Sequence, residues 1–234
     1  IIRDYLTTGV DFLKFAISDH IAKEAANPHL TFSERVQRVI AEETRAAGKP
    51  LVSHTTSIES FHSAIELGVD AMMHCTITAQ VPLSDDLIEQ MIKKNVWGEI
   101  QPVTKSFQTL LEASGSPLAW YAGGVHRENT VRLIRAGAPI LMGTDAGCTD
   151  PDDLCDLPPV MLSDRGWTLG QDHFLWFRSM HEMGMKPMDI LMAATRNPAK
   201  AYGKDKLVGT VSPGRYADIL ILDGDPLADV ENLS

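Results

Sequence analysis

Four residues of this 234-residue chain carry side chains able to build a metal centre: Lys14, His54, His74 and Asp145. Two neutral imidazoles and a carboxylate suit Zn²⁺, Mn²⁺, Co²⁺ or Fe²⁺. A protonated lysine is a poor ligand. A lysine whose pKa is lowered by burial can instead react with CO₂, giving an anionic carbamate able to bridge two metals. A metal there would lower the pKa of bound water toward ~7 and so provide hydroxide at neutral pH. Asp145 could take that proton and pass it to a leaving group. Each residue also has a plainer reading. Asp145 could cap a helix, Lys14 could snorkel from an edge strand, and a histidine is often a satisfied core residue. The core reading is retained for His20, His29, His62, His173 and His181, and a capping or surface role for His126.

The four residues stand apart because similar scaffolds deliver them. Gly48-Lys-Pro-Leu-Val-Ser-His54 and Gly68-Val-Asp-Ala-Met-Met-His74 both run from a helix-ending glycine, through a short apolar strand, to a histidine. Glycine and histidine are six residues apart in both (54 − 48 and 74 − 68). Gly9-Val-Asp-Phe-Leu-Lys14 is a looser copy, and Ile140–Met142 is an apolar run followed by Gly143-Thr144-Asp145. Strands are thus expected at Val10–Ala16, Leu51–Ser53, Ala71–Met73, Val96–Ile100 and Ile140–Met142. Thr31-x-x-Glu34 and Thr56-x-x-Glu59 read as capping boxes. The first opens a helix facing Val36, Val39 and Ile40 inward, and the second a helix burying Ile58, Phe61 and Ile65. Ser84, Asp85 and Asp86 begin another helix and Lys93 and Lys94 end it, with the polarity the helix dipole favours.

Further on, Val103 to Gly124 reads as a long connection over the site, and Arg127 to Gly137 as a helix. Residues 146–172 read as loop. Their aspartates, Asp150, Asp152, Asp153 and Asp156, lack EF-hand spacing and read as a solvated lid rather than a Ca²⁺ site. Helices are expected at Phe174–Met183 and, with Pro187 at its first position, at Met188–Thr195. From Gly209 the texture changes to turns around one strand, Ala217–Leu222, the beginning of a small β module.

The totals bound the class. A charge of −10 argues against a nucleic-acid surface. With 44% hydrophobic residues but no apolar run near ~20 residues, a globular core is expected and a membrane span is not. Cys75, Cys148 and Cys155 form no CxxC pair, which favours a reducing compartment such as the cytoplasm. Short turns between helices and strands imply parallel βαβ units in an α/β fold with chemistry at the strand C-termini. Five units are legible where a closed barrel needs eight. The expectation is a partial (β/α)₈ barrel over 1–208 and the stub of a small β module over 209–234.

Taken together, these motifs resemble the amidohydrolase superfamily of metal-dependent hydrolases, in particular its imidazolonepropionase-like and dipeptidase-like group. The carrying motifs are Gly9-x-Asp11-x-x-Lys14, Leu51-Val-Ser-His54, Ala71-Met-Met-His74, Arg127-Glu-Asn-Thr130, Met142-Gly-Thr-Asp145, Ala194-Thr-Arg-Asn197 and Gly209 through Pro226. The resemblance implies a TIM-like barrel of which strands 4–8 are legible, and a small β-sandwich of which 209–234 is the stub. It implies Lys14 as a carboxylated lysine, His54 and His74 as strand-5 and strand-6 ligands, and Asp145 as strand-8 ligand and proton shuttle. The implied cofactor is a divalent metal, zinc first, binuclear in a complete enzyme. The strand-1 HxH pair of the family does not occur in these residues. The expected activity is cleavage of an amide or peptide C–N bond in a small-molecule substrate. Alternatives are an organophosphate or lactone hydrolase, a deaminase, or a non-catalytic incomplete barrel that binds a metal or a companion chain. Oligomerisation is compatible with all of these.

Overall fold

In the computed structural model, five short strands lie side by side in chain order, all parallel: β1 (Leu13–Ala16), β2 (Leu51–His54), β3 (Ala71–Met73), β4 (Trp97–Ile100) and β5 (Ile140–Met142). The described residues are 1–19, 29–115, 119, 123–147, 166–170 and 172–233. The strand order never reverses, so the sheet has no topological switch point of the doubly wound kind. It is the winding of part of a (β/α)₈ barrel.

The register assigns the two faces. Lys14, Val52, Ala71 and Trp97 stand level across β1 to β4, and Ala16, His54 and Met73 form the next layer. Glu99 pairs with Leu141. Val52, Ala71, Leu141 and Ala201 cluster on this inner face. The opposite face sends Leu13, Phe15, Leu51, Met72, Ile100 and Ile140 into the main core. Helices α2 (Glu34–Ala46), α3 (Ile58–Leu67), α4 (Asp85–Lys93) and α6 (Gly124–Ala136) add Ile40, Phe61, Ile65, Met91 and Leu133 to that core. Burying each such side chain stabilises by roughly 1.5–3 kcal/mol.

The glycine spacing has a backbone cause. Gly48 and Gly68, just past α2 and α3, share φ +66, the left-handed geometry that ends a helix and that glycine adopts without strain. Each αβ connection is therefore the same turn, and the strands beyond start within one residue of each other, Ala71 level with Val52. Ser84 caps α4 by accepting from Leu87 N, and Pro187 opens α8 (Pro187–Ala194), as the sequence implies. Trp176 on α7 (Asp172–Glu182) donates to Ile100 O at 2.8 Å, tying that helix to β4. Short helices α1 (Ile2–Leu6) and α9 (Arg196–Ala201) complete the set with α5 below. Among the described residues no helix is long and apolar enough to cross a membrane.

Several expectations are corrected. The first strand begins at Leu13, not Val10. Ser33, not Thr31, is the N-cap of α2, and the Thr31 hydroxyl instead donates to Ala16 O. The inward face of α2 is Gln37, Ile40, Ala41 and Thr44, leaving Val36 and Val39 exposed. The second capping box is Ser57 with Ser60, one residue later than expected. The second shift follows from counting Glu59 as the reciprocal partner where Ser60 serves. The connection from Val103 contains α5 (Lys105–Ser114), whose Phe107 and Leu111 bury with Val103 and Trp167. The break after α8 falls at Thr195, and Pro198 sits in the first turn of α9 rather than interrupting a helix. Ala217–Leu222 forms no strand among the described residues, and Ile219, Leu220 and Ile221 are exposed. Alternating apolar residues make a strand only where a neighbouring backbone is present to pair with. The aspartate cluster at 150–156 lies outside the described residues.

Candidate metal centre

His54 ends β2 and His74 follows the last residue of β3. Both are buried, and their rings meet edge to face with centroids 4.6 Å apart. His54 pairs with Met73 on the adjacent parallel strand, so His74, one residue beyond, stands beside it. His74 has φ +60 and Asp145 has φ +52, both left-handed. For a non-glycine residue this costs on the order of 1–3 kcal/mol and persists only where the surroundings enforce it. Such residues collect at active sites, and two of the four candidates are of this kind.

Asp145 lies three residues past β5 and is exposed. No helix follows it among the described residues, so the helix-capping reading has no support there. The loop beyond is fastened by Gly147 N donating to Trp167 O at 2.9 Å. Lys14 lies on the inner face of β1, level with Val52 and one layer below His54. The burial expected of Lys14 is not found: it is exposed, because β1 is an edge strand and its inner face is open among the described residues. The structure thus packs the two histidines together and leaves Lys14 and Asp145 open around them. Among the described residues no three His, Cys, Asp or Glu side chains form a ready metal-holding group.

Sequence reasoning missed Glu99. It lies on the inner face of β4 and is 1% exposed. Its Oε2 accepts the His74 N–H at 2.8 Å and stands 3.9 Å from His74 Nδ1. Its Oε1 has no hydrogen-bond partner among the described residues. Burial pushes the Glu99 carboxyl up to about 7. The His74 N–H opposes that shift, the Asp145 charge adds to it, and the Gln101 side chain and Lys14 oppose it. Glu99 thus shares an electrostatic neighbourhood with three of the four candidates. Its signal was a charged residue inside an apolar strand, the same feature that singled out Lys14.

His126 is also corrected. It is neither a cap nor at the surface but buried on α6, with Nδ1 2.7 Å from Thr76 Oγ1 and Nε2 3.1 Å from Gln101 O. Burial lowers its pKa, against the two hydrogen bonds. Asn129, one turn on, accepts from Leu83 N at 2.8 Å and donates to Thr76 O at 3.1 Å and Thr78 Oγ1 at 2.8 Å. Together they hold the segment following His74 against α6. Of the histidines given a core reading, His29, His62 and His181 are exposed, His173 is half-buried, and His20 lies outside the described residues. Cys75, buried beneath Gly98, has its thiol pushed well up by burial and by the Glu99 charge.

In kind, the donors fit a divalent cation: two adjacent buried imidazoles and a carboxylate beyond the end of β5.

A sequence model of the Amidohydrolase family matches residues 4–234. A solved structure described as the structural and catalytic characterization of molinate hydrolase superposes with TM-score 0.93 at 47% identity, over 99% of this chain and 50% of that one. The crystal structure of phenylurea hydrolase B follows at TM-score 0.92 and 42% identity, over 99% and 52%. Imidazolonepropionase of Geobacillus kaustophilus is 27% identical over 195 residues, 82% of this chain and 38% of that protein. The chain spans about half the length of these relatives, or less.

Proposed function

The chain belongs to the amidohydrolase family, and on that premise we propose that it carries part of the active centre of a metal-dependent hydrolase acting on a C–N bond of a small molecule. The observation that carries this is the pair His54 and His74, buried at adjacent strand ends with rings 4.6 Å apart. That pairing supports a metal site better than two independent core histidines, since core histidines have no reason to share one mouth.

His54, His74, Asp145 and Lys14 would hold the metal, with zinc the first choice and two ions in the complete protein. Lys14 would take part as its CO₂-derived carbamate. When bound, the metal supplies an acidified water and a polarised carbonyl. The chain's own residues do the rest. His54 and His74 hold their rings rigidly through burial. Asp145, open to the mouth, accepts a proton and returns it to the departing nitrogen. The left-handed backbone at Asp145, φ +52, breaks the strand direction there. The substrate class is an amide, peptide or urea C–N bond, the last suggested by the name of phenylurea hydrolase B.

The exposure of Lys14 and Asp145 favours one second reading: a non-catalytic chain that binds a metal or a companion chain without turnover. Protein loaded with Zn²⁺ or Co²⁺ and offered amide, dipeptide, phenylurea, lactone and organophosphate substrates separates the two. The hydrolase reading predicts amine release that falls at least ~100-fold in His54→Ala and His74→Ala. Metal binding without turnover of any substrate would favour the second reading. Turnover of only the ester-type substrates would refute the C–N assignment.

A further inference from the structure

We infer that Glu99 is a positioning residue, whose carboxylate holds the His74 backbone from beside the end of β5 and so sets where the His74 imidazole stands. This rests on the metal-hydrolase reading and adds to it a residue outside the four candidate ligands.

The inner face of the sheet is otherwise apolar beside Glu99: Val52, Ala71 and Leu141 cluster there. A carboxylate at such a position is costly unless its oxygens have fixed work, since burying a charge without partners is strongly unfavourable. A leucine or methionine would serve packing alone. Oε2 has its work in the 2.8 Å bond from His74 N. That bond holds the one residue of the β3 end whose backbone is left-handed, φ +60. Oε1 points the other way, over the start of the β5 loop. A Cβ on Gly143 would lie 1.8 Å from it, so a side chain at 143 and the Glu99 carboxylate cannot occupy their places together. Gly143 is two residues before Asp145. The carboxylate that holds the histidine at the end of β3 is thus packed against the turn that presents the aspartate after β5. The backbone hydrogen bond from Cys75 N to Glu99 O, 3.2 Å, closes the same junction from the backbone side.

The test uses the whole protein and Co²⁺ as probe. Apparent Co²⁺ affinity and the Co²⁺ d–d absorption spectrum are measured for wild type, Glu99→Ala and Glu99→Gln, with thermal unfolding alongside. Loss of the tie is expected to weaken Co²⁺ binding 10–100-fold in Glu99→Ala, as loss of an outer partner of a metal ligand does, and to shift the d–d bands. Glu99→Gln keeps an oxygen for the His74 N–H and is expected to recover most of the affinity. If Glu99→Ala does not fold, Glu99→Asp, which keeps the charge but withdraws the oxygens, is expected to show the same weakening. Variants that unfold at lower temperature while keeping wild-type affinity and spectrum would overturn the inference and leave the metal reading standing. Folded wild-type protein that takes up no Co²⁺ would overturn both.

Discussion

Replacing Asn129 with alanine should destabilise the protein by about 2–6 kcal/mol, and the figure can be built from three bonds. Asn129 is fully buried. Its Oδ1 accepts from Leu83 N, and its amide nitrogen donates to Thr76 O and Thr78 Oγ1. Alanine removes all three. Thr78 keeps a second bond, to Val81 O, so its hydroxyl is not stranded. The Leu83 N–H and the Thr76 carbonyl lose these partners, and Leu83 and Thr76 are themselves fully buried. A stranded buried polar group costs ~1–3 kcal/mol, and two of them give the range. For a chain of this size each kcal/mol lowers Tm by about 2–4 °C, so a fall of about 4–24 °C is expected by calorimetry or circular dichroism. The segment tethered here begins at His74, whose carbonyl accepts from Ile77 N at 2.9 Å. The same variant should therefore bind Co²⁺ more weakly. A Tm within a degree or two of wild type would refute the reasoning, because the stranded groups would then have found other partners.

Stability should fall as pH rises from about 4 to about 7, in part through Asp172. Burial pushes its carboxyl up to about 7 from an ordinary 3.8, with only the Trp167 N–H opposing. The folded state therefore holds a proton that the unfolded chain has released. The contribution is present below about 4 and is lost through about 7, with a slope of up to about 1.4 kcal/mol per pH unit between. Asp172→Asn should flatten that part of the stability–pH curve, and an unchanged curve would contradict it. Gly98→Ala should cost about 1–3 kcal/mol by overpacking, since its Cβ would lie 2.6 Å from Met91 Cε and 2.7 Å from Cys75 Sγ. Adding Cys75→Ala should recover part of that loss in the same denaturation assay, and no recovery would place the strain elsewhere.

The strand ends were legible in the sequence because one local device sets them. Gly48 and Gly68 must be left-handed to end their helices, and a fixed number of residues then reaches His54 and His74. Parallel order and the partial barrel follow from repeating that device. Glu99 was not legible, because Trp-Gly-Glu-Ile can equally be a strand with one residue in water. Only the register against Leu141, and the His74 amide beside it, place the carboxylate inside. Lys14 failed in the opposite sense: the same pattern suggested burial, but an edge strand with an open inner face exposes it. His126 read as a surface residue because its partners, Thr76 and Gln101, come from distant strand ends. Ala217–Leu222 has strand-like residues without a pairing partner, and intrinsic β preference alone does not fix a strand.

The central claim is that the ends of β2, β3 and β5 surround one cation. Anomalous diffraction from crystals of the protein grown with Zn²⁺ tests it most directly. The account predicts a peak within about 2.0–2.2 Å of an imidazole nitrogen of both His54 and His74, with an Asp145 oxygen at a similar distance. A peak elsewhere on the molecule, or none while the two rings stay 4.6 Å apart, would contradict it.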